Sequence, residues 1–178
     1  MRNYRQSVLA IGSLLLGAVY LNAAYVGGSV GYMIDGEEEI FSVQVGFPVA
    51  ESGKVTHNLE FEVGIISSSD EVEGMSVDAD FNPLMVNYLF KTNPEKGVSF
   101  YAGGGIGWTL WDVDVMSYSF DGDVFTWQIM VGLQYSLSEN AALKLGYRYL
   151  YLDDIEVEGY DFGDADDSVI ELGVVFNF

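Results

Sequence analysis

The chain has no cysteine among its 178 residues. That excludes a disulfide framework and a lipid-anchored lipoprotein, which needs a cysteine to acylate. Basic residues are scarce: 7 Lys and Arg stand against 27 Asp and Glu, for a formal net charge of −20. Such a chain avoids nucleic acid, whose phosphates it would repel. One histidine, His57, is present, so any acyl chemistry of the Ser-His-acid kind has a single candidate base. Beyond residue 24 no apolar run approaches the roughly 20 residues that a membrane helix requires.

The one long apolar run is at the start. Arg2 and Arg5 precede Val8–Leu21, and Asn22-Ala23-Ala24 follows it, the charged, hydrophobic and small-residue order of a secretory signal peptide. The run has 14 residues, too few for a transmembrane anchor. Cleavage after Ala23 or Ala24 leaves residues 25–178 as one domain and takes Arg2 and Arg5 with it, which moves the net charge from −20 to −22.

What the chain does have is alternation. Ile170, Leu172, Val174, Phe176 and Phe178 share one parity, while Glu171, Gly173 and Asn177 share the other. A final strand with an apolar outer face and an aromatic last residue suits a bacterial outer-membrane barrel, with lipid outside and a polar lumen inside. These five residues are the expected assembly signal. The same period-2 pattern places eight strands near 25–34, 40–49, 56–66, 77–90, 98–111, 123–137, 141–153 and 168–178. The expected fold is therefore all-β: an eight-stranded antiparallel up-and-down transmembrane β-barrel.

The outward residues are Phe41, Val43, Val45 and Phe47 in the second strand, and Leu59, Phe61, Val63 and Ile65 in the third. In the sixth, Phe125, Trp127, Ile129, Val131, Leu133, Tyr135 and Leu137 alternate with Thr126, Gln128, Met130, Gly132, Gln134 and Ser136. The fourth strand fits less well, since Leu84, Val86, Tyr88 and Phe90 share a parity with Asp78, Asp80 and Asn82. Either those acids stand above the membrane, the favoured reading, or Pro83 marks a register-shifting bulge.

The connections fall into two chemistries. Those at 50–55, 91–97 and 138–140 are short and carry Lys54, Lys91 and Lys96. Those at 35–39, 67–80, 112–123 and 153–167 hold 4, 5, 4 and 8 acids, 21 of the 27, and no Lys or Arg. Short periplasmic turns and longer extracellular loops explain that segregation, and an even strand count leaves both termini periplasmic. Aromatics such as Trp108, Trp127 and Tyr149 fall toward the loop ends, and Tyr88, Phe90, Tyr135 and Phe176 toward the turn ends, as interfacial girdles require.

Pro83-Leu-Met-Val-Asn-Tyr88, Phe100-Tyr-Ala-Gly-Gly-Gly-Ile-Gly107, Leu145-Gly-Tyr-Arg-Tyr-Leu-Tyr151 and Glu171-Leu-Gly-Val-Val-Phe-Asn-Phe178 together carry a resemblance. The mature chain resembles the eight-stranded outer-membrane barrel domain of opacity-type proteins and related bacterial surface antigens. The resemblance implies an outer-membrane location in a Gram-negative envelope, insertion by the barrel-assembly machinery and surface-exposed variable loops. It does not imply one activity, because members include adhesins, structural proteins and proteins called porins by homology.

Candidate chemistry is thin. Gly103, Gly105 and Gly107 imitate a dinucleotide loop, but no helix follows, so they are read as thinning the lumen wall for side chains from opposite strands. Asp161-Phe-Gly-Asp-Ala-Asp-Asp167 lacks the glycine and glutamate spacing of an EF-hand, leaving a solvated acidic loop with at most diffuse divalent-cation binding. His57 sits at the turn end of its strand, far from any outer-leaflet lipid chemistry, and is read as a solvated turn residue. Glu60, Glu62, Lys144, Arg148 and Glu171 all point inward by parity. In a barrel of eight strands they are expected to pair as a polar core rather than line a passage. The expectation is a non-enzymatic surface protein without a cofactor, structural or adhesive in role, whose partners are outer-membrane lipid and lipopolysaccharide. A small channel is the alternative, and a lipid A-modifying enzyme is a third reading.

Overall fold

Alternation this regular forces an extended chain to expose one apolar and one polar face, and a strand in hydrocarbon must satisfy every backbone donor through a neighbour. Closing the sheet on itself meets both demands. The computed structural model describes residues 25–72, 75–92, 97–115, 118–154, 156–157, 160–161 and 163–178. The signal-peptide expectation at 1–24 lies outside the described residues. The strands are β1 (Tyr25–Met33), β2 (Glu39–Ser52), β3 (Val55–Val72), β4 (Met75–Thr92), β5 (Val98–Val115), β6 (Tyr118–Ser136), β7 (Ala141–Leu152), β8 (Glu156–Val157), β9 (Tyr160–Asp161) and β10 (Ala165–Asn177). Eight of them form a closed antiparallel barrel in the order β1-β10-β7-β6-β5-β4-β3-β2, and β8 and β9 make a separate two-stranded ribbon.

Two hairpins are longer than the hydropathy pattern suggests. The β3–β4 and β5–β6 ladders continue to Val72↔Met75 and Val115↔Tyr118, through segments 67–80 and 112–123 expected as loops. Backbone pairing needs no apolar outer face, so it continues where the acids begin and the outward apolar residues end. A strand of 18 residues spans about 59 Å, and even at a 45° tilt it overtops an apolar band of about 25 Å. The other side of the rim is lower, because β1–β2 pairing stops at Tyr32↔Glu39 and β7–β10 pairing at Leu152↔Ala165. The last strand also ends one residue early, at Asn177.

Pro83 marks no bulge. It pairs in step with Thr109, and the β3–β4 register is the same on both sides of it. Asp80 therefore stands on the outward parity beyond the apolar band, where the Ser67 hydroxyl donates to its carboxylate at 2.7 Å. The register shift occurs instead between Pro48 and Ala50 in β2, after which the pairing with β3 resumes to Ser52↔Val55.

Outside, Phe41, Ile106, Trp108, Ile129, Val131, Tyr135, Leu145 and the alternate residues of β10 are exposed. Val45 and Val63, though outward by parity, are buried; Val45 is covered by Val26, Phe47 and Phe61. Trp108 meets Phe125 edge-on, and Trp127 lies against Tyr149 and Tyr151 toward the loop end. His57, Tyr88 and Phe90 pack together toward the turn end.

Candidate functional site

The interior has two storeys. The one nearer the turns is charged, and Arg148 is its centre, 1% exposed on β7. Its Nη1 lies 2.5 Å from Glu62 Oε1 on β3 and its Nη2 lies 2.7 Å from Glu171 Oε2 on β10. Lys144, two inward positions before it on β7, places Nζ 3.0 Å from Glu171 Oε1 and 5.2 Å from the centre of the Tyr101 ring. Neutral groups complete the set. Asn87 Nδ2 donates to Glu60 and Glu62 at 3.1 and 2.8 Å, and Gln128 Nε2 donates to Glu62 and Asn87 at 3.2 and 2.7 Å. Arg148 Nη1 also donates to Gln128 Oε1 at 3.1 Å. The Tyr25 hydroxyl donates to Glu60 at 2.8 Å and the Tyr101 hydroxyl to Glu171 at 3.2 Å.

Parity explains why these side chains point inward; glycine explains how the large ones fit. Tyr101 crosses from β5 over β6 and β7 because positions 132 and 146 carry no side chain, and a Cβ at either would collide with its ring. Tyr25 lies over Gly46 for the same reason. Gly103, Gly105 and Gly107 were expected to make room for opposite strands. The space beside them is taken instead by Leu89, Asn87 and Met85 of the adjacent β4.

Sequence-predicted Glu60, Glu62, Lys144, Arg148 and Glu171 are thus brought into one network. Glu60 differs from the others, since the groups that hold it, Tyr25 and Asn87, are neutral. Tyr25, Asn87, Tyr101 and Gln128 are members that parity alone did not single out. Lys91, expected in an exposed turn, is the penultimate residue of β4 and lines a void of about 10 Å³ with Tyr25, Asn58, Leu89, Tyr101, Gln134 and Val175. That is room for about one water.

The upper storey is apolar. Ile40, Ile66, Trp111, Val124, Leu150, Leu152 and Val169 form a buried cluster against which Met33, Phe81, Val113 and Phe120 pack. All have the inward parity expected to be polar. The sequence did hold a sign of it: after Arg148 both faces of β7 are apolar, Tyr149 and Tyr151 on one and Leu150 and Leu152 on the other. Above the cluster a cavity of about 480 Å³ opens at the loop end of the barrel.

His57 is on the lipid-facing parity, its Nδ1 3.0 Å from the Tyr88 hydroxyl, and belongs to the aromatic belt rather than to a solvated turn. It is far in the barrel from the loop end, where β3 reaches Val72. Of the acid-rich segment 153–167, residues 155, 158–159 and 162 lie outside the described residues. Asp167 in that segment is not a solvated loop acid: its two oxygens accept from the backbone N–H groups of Asp35 and Gly36 at 3.2 and 2.7 Å. Among the described residues no three acids or histidines converge as metal ligands.

Residues 17–178 match the outer membrane protein beta-barrel domain family, and the chain belongs to it. A comparison by sequence with curated proteins finds no match. Among solved structures the chain is similar to Neisserial surface protein A, with 14% identity, TM-score 0.61, 86% of this chain and 94% of that one covered. It is also similar to Ail, the attachment invasion locus protein of Yersinia pestis, with 14% identity, TM-score 0.53, and 86% and 95% covered. The outer membrane enzyme PagL shares the fold as well, with 11% identity, TM-score 0.52, and 87% and 100% covered. At these identities the likeness is one of fold, and the fold accommodates both enzymes and proteins of other kinds.

Proposed function

We propose that this protein is a non-enzymatic integral protein of the bacterial outer membrane that displays acidic loops at the cell surface, in a structural or ligand-binding role. Its barrel is a plugged scaffold, and its termini and lysine-bearing turns lie on the periplasmic side. The observation that carries this reading is the network around Arg148, in which three carboxylates, two cations and four neutral side chains fill the storey of the lumen nearer the turns with mutual bonds. A water-filled path would need those groups turned toward solvent, and an eight-stranded barrel has no spare width. The single histidine on the lipid-facing parity supports the non-enzymatic reading, because an acyl-transfer site needs a base beside its nucleophile.

Outer-membrane lipid and lipopolysaccharide surround the barrel in this reading, the barrel-assembly machinery inserts it, and divalent cations bridge its loop acids. The test is single-channel recording in planar bilayers, paired with mass spectrometry of lipid A from cells expressing the protein. Expected are no steady conductance and unchanged lipid A. Large, steady openings would replace the plugged scaffold with a channel, and a lost or added acyl chain would replace it with an enzyme.

A further inference from the structure

We infer that the cavity at the loop end is a binding site for small amphipathic cations, molecules with an apolar body and an ammonium-type head. The inference deepens the surface-binding reading above by naming a ligand class and a place for it.

The cavity's volume, about 480 Å³, lies inside the roughly 300–1,000 Å³ range of small-molecule sites. Its walls are Met33, Ile66, Phe81, Leu150 and Leu152, contributed by four strands whose ladders fix them. Thr109 is also part of the lining, but its hydroxyl bonds that of Thr126 at 2.7 Å, and Thr126 in turn donates to the Val124 carbonyl at 3.2 Å. The hydroxyl nearest the floor is therefore already engaged. An apolar pocket of this kind holds water poorly and favours a hydrocarbon or aryl body.

Charge selects the head. Asp35, Glu38, Asp166 and Asp167 line the same cavity, and among the described residues no Lys or Arg does. Asp167 is engaged with the backbone of the β1–β2 turn and so fixes that wall, and Asp166, on the outward parity of β10, accepts from the Tyr149 hydroxyl outside the barrel. Asp35, exposed, and Glu38, half-buried, are left to face a ligand. Arg148 lies two residues below Leu150, but its charge is met by Glu62 and Glu171. Fatty acids, phospholipids and sulfated sugars would bring anions to this rim and be repelled, whereas an ammonium meets the carboxylates of Asp35 and Glu38 across a low-dielectric mouth, where attraction is strengthened. The low rim between β1–β2 and β7–β10 leaves the opening on the side where these acids stand.

The experiment uses the full barrel in lipid nanodiscs, where both ends are accessible and orientation in the cell is irrelevant. The probes are 4-phenylbutylammonium, neutral 4-phenylbutanol and anionic 4-phenylbutyrate, measured by equilibrium dialysis against empty nanodiscs. The ammonium is expected to bind saturably and about tenfold more tightly than the alcohol, with the carboxylate weaker still. Asp35→Asn and Glu38→Gln combined should erase the preference for the cation. Ser68→Trp, at the cavity wall, should abolish uptake of both cation and alcohol in protein that still migrates as a folded band. Uptake no greater than that of empty nanodiscs, or equal uptake of the three probes by the wild type, overturns the proposal without need of any variant. Neither result bears on conductance or lipid A, so the scaffold reading stands or falls separately.

Discussion

Arg148 joins three strands through its two terminal nitrogens, and its removal would leave Glu62 and Glu171 buried beside fewer positive charges. Breaking such a pair typically costs about 3–5 kcal/mol, against about 0–1 kcal/mol for an exposed charge. Urea unfolding in lipid should therefore show Arg148→Ala far less stable than Lys54→Ala, which alters an exposed turn; equal midpoints would mean that the network does not hold the barrel. Glu62 and Glu60 offer a finer comparison. Glu62→Gln withdraws a charge from Arg148, while Glu60→Gln exchanges one acceptor for another beside neutral donors. The first should lower the unfolding midpoint and the second leave it nearly in place, an order that the same urea titrations read directly. The five charged members were legible because a charge at lumen parity in an apolar strand is conspicuous. Tyr25, Tyr101, Asn87 and Gln128 were not, since which side chains meet across a barrel depends on stagger and rotamer, and strand parity carries neither.

Among the strands, β10 bears the heaviest demand, for it closes the barrel by pairing with β1 from Asn177 to Val169 and with β7 from Phe176 to Ala165. Ile170, Leu172, Val174, Phe176 and Phe178 all present exposed apolar surface on one side of it. Until that strand is paired both of its edges are open, a state hydrocarbon does not tolerate. Deleting Phe178, which lies beyond the last pair, should leave the register intact yet reduce the amount of heat-modifiable protein in the outer membrane. Wild-type levels of the truncated chain would show that the terminal aromatic is not part of the assembly signal. Existence and parity of the barrel strands were legible because each carries several apolar residues at period 2. Their upper ends were not: in 67–71 the pairing continues through serines and acids, and in 112–115 it continues with Val113 on the inward parity and Asp112 and Asp114 on the outward, so the outward apolar signal has ended. The apolar upper storey escaped for a related reason. Parity assigns a residue to the inside but not to a depth, and Leu150 and Leu152 follow Arg148 on the same inward face.

Over the whole molecule charge is sorted by height, with lysines at the turns, a paired network in the lumen, and 21 acids without a base in the four long connections. At the rim Asp35, Glu38, Asp166 and Asp167 border one cavity, beside the turn that Asp167 secures, and charges there are screened over a Debye length of about 8–10 Å in physiological salt. Nothing basic is available in these connections to neutralise them, so their repulsion must be met from solution. A divalent cation can bridge two carboxylates and hold segments together, whereas monovalent salt only screens them. Trypsin has no site in these connections, so the probe is a protease that cleaves at acids or aromatics, applied to the barrel in vesicles. Chelating magnesium and calcium at constant ionic strength should speed cleavage within 153–167 several-fold, and sodium chloride alone should restore little of the protection. Identical cleavage with and without divalent ions would show that the loops tolerate their own charge, and would remove the bridging cations from the account of this surface.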